Sequence, residues 1–154
     1  MIRPGEVARV NEWVQEAISL GAKPLCGAKP QGPNHYLPTV LTGVPADCTL
    51  SLNEVFGPVA VIYEFEDLEQ AYAQANDLPF SFQAAVFTQD ITNTMSAYHS
   101  LNASAVMVND HTAFRTDWMP FAGLKQSGLG VGRIPHTMKE MQIEKMLVLP
   151  AAFN

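Results

Sequence analysis

Glu54-Val55-Phe56-Gly57-Pro58 carries a carboxylate and an aromatic ring two positions apart, directly ahead of a turn. In an extended segment, side chains two apart point to the same face, so Glu54 and Phe56 are expected side by side. Gly57-Pro58 bends the backbone, and Pro58 has no amide proton to give to a sheet. Val59 to Tyr63 then runs unbroken and apolar, the pattern of a strand covered on both faces. A rigid strand would thus hold out one hydrogen-bond acceptor beside one flat apolar surface, a pair suited to a sugar hydroxyl and an adjacent ring. The competing reading of the same residues is a plain turn before a core strand.

The remaining chemistry-bearing side chains are scattered. Cys26 sits between Leu25 and Gly27 in a predicted strand and reads as a structural, buried thiol, because neither a base nor a helix N-terminus stands near it. Cys48, in the loop before Glu54, reads the same way, so no catalytic residue is assigned. Asp110 and His111 are neighbours and cannot face each other in an extended chain, and no G-x-S-x-G elbow supplies a serine, so His111 is read as stabilising its loop. His35, His99 and His136 make no metal spacing. Gly128-Leu129-Gly130-Val131-Gly132 misplaces the third glycine of a nucleotide fingerprint and reads as a flexible turn. Arg115 has two readings: a bidentate contact with a carboxylate or phosphate, or a local pair with Asp117.

The elements that must hold these residues alternate. Val7, Val10, Val14, Ala17 and Ile18 recur at helical spacing and predict an amphipathic helix ending near Gly21. Strands are predicted at Lys23–Gly27, Tyr36–Val44, Val59–Tyr63, Gln83–Thr88 and Ala105–Val108. Pro30–His35 reads as a polar turn and Pro45–Asn53 as a loop. Helices are predicted over Asp67–Asn76, after a cap at Asp90, and from Pro135 through Met141. Strand–helix–strand order with short links predicts an α/β fold with a mainly parallel sheet and right-handed crossovers. Asn109–Gly132 is long and irregular and holds four of the ten glycines, which suggests a functional loop. Lys145–Leu149 reads as a last apolar strand with nothing after it to cover it; Pro150 limits how far it can pair.

Composition closes some options. The 154 residues suffice for one ordinary domain, and 47% hydrophobic with 16% charged residues describes a globular chain. A net charge of −6 argues against a nucleic-acid partner. Glu6, Arg9, Glu12 and Glu16 exclude a signal peptide or membrane span at the start. Two distant cysteines fit reduced thiols in the cytoplasm.

Tyr36-Leu37-Pro38-Thr39-Val40, Glu54 to Pro58, Val108-Asn109 and Pro120-Phe121-Ala122-Gly123-Leu124-Lys125-Gln126-Ser127-Gly128 occur in an order that resembles the C-terminal part of the aldehyde dehydrogenase superfamily, from about residue 2 to about residue 149. The resemblance implies the three-layer catalytic-domain fold over 1–144, with 145–154 as terminal strand and tail. It implies oxidation of an aldehyde to a carboxylic acid with NAD or NADP. Carried over, Glu54 would bond the nicotinamide ribose and Phe56 would pack beside it. Asn109 would organise its strand end near the substrate, Phe121 would line the channel, and Arg115 would border it, favouring a small, anionic aldehyde. The family's nucleophilic cysteine and general-base glutamate precede the resembled segment, and neither Cys26 nor Cys48 matches the cysteine motif. The chain alone is therefore expected to be inactive and to bind cofactor weakly or not at all. The family's terminal strand extends a neighbour's sheet, which implies a homo-oligomer through residues 145–149. Two departures stand out: Ala122 for the usual glycine, and Ser81-Phe82 for the usual Gly-Leu. The alternative is a non-catalytic, stand-alone module of the same fold, acting in subunit assembly.

Overall fold

The computed structural model describes residues 1–149, so Pro150 and the rest of the tail expected at 145–154 lie outside the described residues. Two compact units divide the chain, Met1–Ala71 and Tyr72 onwards.

The first unit is built around α1 (Pro4–Ser19). Val7, Val10, Val14 and Ala17 fall on one face of this helix, and all four are buried. That face covers a three-stranded sheet of β1 (Lys23–Cys26), β4 (Thr39–Thr42) and β5 (Val59–Ile62), with β4 in the centre. β4 runs antiparallel to β1 and parallel to β5. Its alternation buries Thr39 and Leu41 together, and the Thr39 hydroxyl accepts from the Ala28 amide at 2.8 Å. Gly21, at φ +110°, lets the chain leave α1 while the Ala22 amide donates to the Ala17 carbonyl at 2.9 Å. Pro30–His35 forms a small hairpin of β2 (Pro30–Gly32) and β3 (His35–Tyr36) instead of a bare turn. Within the expected loop Pro45–Asn53, α2 (Thr49–Leu52) makes one turn, its first amide and hydroxyl bonded to the Glu16 carboxylate.

The second unit carries a parallel pair, β7 (Gln83–Val86) and β8 (Ala105–Val108), joined through α4 (Ile91–Ser100). Asp90 caps α4 as its sequence predicts: its carboxylate accepts from the Thr92 amide at 2.6 Å. A two-residue antiparallel pair, β6 (Phe80–Ser81) with β9 (Leu124–Lys125), ties the long loop down. The helix α3 (Leu68–Asn76) leads into this unit, and α5 (Ile134–Glu140) closes it.

The mixed α/β class is as expected, but the single, mainly parallel, three-layer sheet is not. Among the described residues the strands form four small sheets of two or three members, and only two of the five pairings are parallel. The antiparallel pairs come from chain that turns back without a helical crossover: β2 and β3 form a hairpin, β1 pairs with β4 across it, and β9 returns from the long loop to β6. β5 is parallel to β4 and leaves Ala60 and Ile62 in solvent. Lys145–Leu149, expected as a strand, has no ladder partner among the described residues and its apolar side chains are exposed.

Candidate functional site

Two clusters hold the residues singled out above, one in each unit. In the first, the polypeptide at Val55 is gripped by α1. Arg9 Nη2 donates to the Val55 carbonyl at 2.7 Å, and the same guanidinium pairs with Glu6 at 2.8 Å and lies 4.4 Å over the Trp13 ring. Next along the chain, Gly57 sits so close to α1 that a Cβ there would meet Val10 Cγ2 at 2.9 Å. Between these two anchors Phe56 adopts φ +46°, a left-handed conformation that a bulky residue rarely takes. That overturns the extended reading of Glu54–Phe56, because strict alternation fails where φ turns positive. Glu54 is exposed and bonds nothing in the chain among the described residues, and the Phe56 ring is 80% exposed. A free acceptor and a bare ring on an anchored loop suit a ribose hydroxyl and the ring beside it.

Cys26, expected to be buried, is exposed, with Sγ 3.6 Å from the Pro38 carbonyl; β1 is an edge strand with all four side chains in solvent. Cys48 is buried as expected, 3.5 Å from the Ser51 hydroxyl. Neither thiol has a histidine or lysine beside it among its bonded partners.

In the second unit, Asn109 ends β8 at φ +55°, a conformation asparagine tolerates. Its side-chain amide donates to the Thr88 carbonyl at 2.8 Å and its Oδ1 accepts from the Thr88 amide at 2.9 Å. The ends of β7 and β8 are thereby clamped together. The turn also brings Asp110 and His111 together, contrary to the extended reading: the His111 amide donates to Asp110 Oδ1 at 2.7 Å, and Nε2 lies 3.9 Å from it. His111 Nδ1 accepts from the Ala113 amide at 3.2 Å, the loop-stabilising role expected of it.

Arg115 points toward the start of β7. Its Nη1 donates to Gln83 Oε1 at 2.9 Å and to the carbonyls of Phe114 and Thr112 at 3.1 and 3.3 Å. No ion pair joins it to Asp117 among the described residues. Its guanidinium lies 4.6 Å from the centre of the Phe121 ring and 5.9 Å from that of Phe82, and the two rings meet edge-on at 4.8 Å. Exposed Arg115 and Phe121 thus form one cationic and aromatic surface with half-buried Phe82 and Gln83, and Arg115 Nη2 and Nε are left without acceptors among the described residues. An oxyanion could take both of those donors.

The loop itself is far less free than its composition suggests. Lys125, at φ +53°, donates through Nζ to the carbonyls of Asn76 and Leu78 at 2.6 and 2.8 Å, which caps the end of α3 with a cation. The Ser81 amide donates to the Ser127 hydroxyl at 3.0 Å. Gly123 has backbone of Ser127 2.5 Å from where a Cβ would sit, so glycine is required there; Ala122 beside it already carries a Cβ, which makes the first departure from the resembled pattern a tolerable one. Phe82, the second departure, supplies a ring of the cluster.

Sequence reasoning passed over Arg9 and Arg133. Glu6, Arg9 and Trp13 stand at helical steps of three and four, a legible face; what they grip lies 46 residues away. Arg133 had only its place after the glycine run as a signal.

The aldehyde dehydrogenase family model matches residues 1–147. The 3-sulfolactaldehyde dehydrogenase of Priestia megaterium is 39% identical over 149 residues, which is 97% of this chain and 31% of that enzyme. Glyceraldehyde-3-phosphate dehydrogenase of Methanocaldococcus jannaschii, solved with NADP, superposes with a TM-score of 0.85 at 34% identity, over 92% of this chain and 30% of that one. An aldehyde dehydrogenase of Mycobacterium tuberculosis, solved with NAD+, gives 0.89 at 26% identity, over 100% and 32%. The chain therefore spans about a third of the length of these relatives. With the match running over nearly every residue, the chain belongs to the aldehyde dehydrogenase family.

Proposed function

We propose that this chain is the C-terminal segment of an NAD(P)-dependent aldehyde dehydrogenase that oxidises a small, anionic aldehyde to its carboxylic acid. The nucleophilic cysteine and general-base glutamate are supplied by the part of the enzyme that precedes the segment, so residues 1–149 bind and orient. Glu54 accepts a hydrogen bond from the nicotinamide ribose, and Phe56 offers its exposed face beside the ring. NAD(P) held there would supply the hydride acceptor. Asn109 holds the strand ends that carry the substrate side of the site, Phe121 lines the approach, and Arg115 holds the anionic end of the aldehyde.

The observation that carries this reading is Arg115: anchored through one nitrogen, stacked near two rings, and unpaired with Asp117. An arginine held that way keeps two donors for a ligand and loses little freedom on binding. Two of the similar proteins are named for aldehydes bearing a sulfonate or a phosphate, in line with a cation at this place. In a complete enzyme built around this segment, Arg115→Leu should raise KM for anionic aldehydes and spare neutral ones; equal losses for both would refute the assignment. The isolated chain should oxidise nothing, because covalent catalysis needs a positioned nucleophile. NAD-dependent turnover of short aldehydes by the chain, abolished by Cys26→Ser or Cys48→Ser, would overturn that.

The exposed run Ile143–Leu149 favours an assembly role as well, in which residues 145–149 pair with a sheet of a second copy.

A further inference from the structure

Phe121 is flanked by a second cation. The Arg133 guanidinium lies 5.2 Å from the centre of the same ring that Arg115 approaches at 4.6 Å, so the two charges stand within about 10 Å of each other. The backbone puts it there. The Phe121 and Gly132 peptides bond reciprocally, at 2.8 and 3.4 Å, and this isolated bridge fixes the residue after Gly132 beside the ring. Arg133 itself sits at φ +89°, ψ 164°, a region that side-chain-bearing residues essentially avoid. A glycine would occupy that backbone without strain, and glycines stand at 128, 130 and 132. Here an arginine bears the strain. No carboxylate comes within salt-bridge distance of either guanidinium among the described residues, and the Arg133 side chain hydrogen-bonds nothing there, while its carbonyl accepts from the Thr137 amide at 2.8 Å at the start of α5.

We propose that Arg133 is a second ligand for the anionic end of the substrate, and that the pair Arg115–Arg133 selects an aldehyde bearing a tetrahedral oxyanion, a sulfonate or phosphonate, over one bearing a carboxylate. The proposal rests on the reading of an anionic aldehyde given above. A carboxylate presents two coplanar oxygens, which a single guanidinium fork satisfies. Sulfonate and phosphonate present three oxygens directed apart, which one fork leaves partly unbound. Two like charges left near each other without counter-ions are mutually destabilising, and an oxyanion between them removes that cost. The Arg133 carbonyl opens α5, a role any residue fills; strain retained where the side chain itself has no partner other than an aromatic ring is the pattern expected where backbone energy is held for binding.

The test uses a complete enzyme built around this segment, with NAD(P), and four substrates: sulfoacetaldehyde, phosphonoacetaldehyde, succinate semialdehyde and butyraldehyde. Arg133→Leu and Arg133→Gly should each raise KM for the sulfonate and the phosphonate by about tenfold or more, the loss of one charge-assisted contact. Succinate semialdehyde should change far less and butyraldehyde not at all. Arg133→Lys should fall between wild type and Leu for the two oxyanions. Arg133→Gly should leave Tm unchanged or raise it, since the backbone strain goes with the side chain, and this variant keeps the test decisive if the leucine one does not fold. The lower of the two wild-type KM values shows which oxyanion the site is built for. Equal effects on all four substrates, or a drop in Tm of the glycine variant with KM unchanged, would overturn the proposal. Arg115→Leu separates the two readings: if it is selective for the three anions while the Arg133 variants are not, only the second ligand falls. If Arg115→Leu impairs all four alike, the anionic aldehyde itself is wrong.

Discussion

Replacing Arg9 by methionine should loosen the loop that carries Glu54 and Phe56 more than it weakens the helix on which Arg9 stands. Methionine keeps an apolar stem of similar length, so the change isolates the guanidinium. Three contacts go with it: the 2.7 Å bond to the Val55 carbonyl, the pair with Glu6 and the stacking on Trp13. A hydrogen bond from a charged donor contributes about 1.5–3 kcal/mol. The pair with Glu6 is worth about 0–1 kcal/mol, because its partners are 27% and 39% exposed and solvent screens them. Stacking at an exposed site adds about 0.5–1 kcal/mol. The terms are not additive, and about 2 kcal/mol overall is expected, most of it from the Val55 arm. Glu6→Gln removes the pair alone and should cost no more than about 0.5 kcal/mol. Equilibrium urea unfolding of the two variants gives the global values. Amide exchange at residues 55–57 gives the local one, which should rise in Arg9→Met and stay unchanged in Glu6→Gln. In a complete enzyme, Arg9→Met should also raise KM for the cofactor, since Phe56 at φ +46° is held partly by its neighbour's anchored carbonyl. If Arg9→Met costs no more than Glu6→Gln, or if exchange at 55–57 does not move, the anchoring role is refuted.

Gly57→Ala should destabilise the first unit by about 1–3 kcal/mol in urea unfolding, because the new Cβ meets a stiff, fully buried valine at 2.9 Å. Val10→Ala in the same background should recover part of that loss, and strict additivity of the two would contradict the clash. Asp90 has its carboxyl held below the usual aspartate range by the Thr92 amide, then by the Thr92 side chain. A depressed folded pKa gives stability that is full above the unfolded value of about 3.9 and is lost as pH falls through the folded value. Tm of the wild type should therefore fall more steeply below about pH 4 than that of Asp90→Asn, and parallel curves would exclude the linkage. A chain ending at Glu144 should be monomeric by light scattering where the intact chain is an oligomer; a monomer in both cases defeats pairing through residues 145–149.

Elements set by local rules were legible, and those set by distant partners were not. The valine spacing of α1, the Asp90 cap of α4 and the limits of β8 each depend on residues a few positions apart, and each stands where the sequence predicted. The order of elements pointed to a mainly parallel sheet, but β1 pairs antiparallel with β4 and β6 with β9, partners that no local pattern announces. In the loop from Asn109 to Gly132 the ordering contacts are long-range: Lys125 reaches back to Asn76, Ser127 to Ser81, Arg115 to Gln83. No window of residues contains both ends of such a bond.

The candidate site shows the same division with a sharper edge. Residue type and spacing marked Glu54, Phe56 and Arg115, since an acceptor, a ring and a cation are residue types, and the family resemblance added Phe121. Conformation was hidden, because Phe56 and Arg133 take positive φ against their own preference. Each is held there by a contact made elsewhere in the chain: Arg9 on the carbonyl beside Phe56, and the Phe121 bridge on the peptide before Arg133. A sequence that followed local preference throughout would place glycine at both positions and would be easier to fold. It would also lack the ring at 56 and the charge at 133. Ala28, Asn109 and Lys125 also take positive φ, but at Phe56 and Arg133 the departure falls where the proposed cofactor and the proposed anion would bind, and in both it is what presents the side chain.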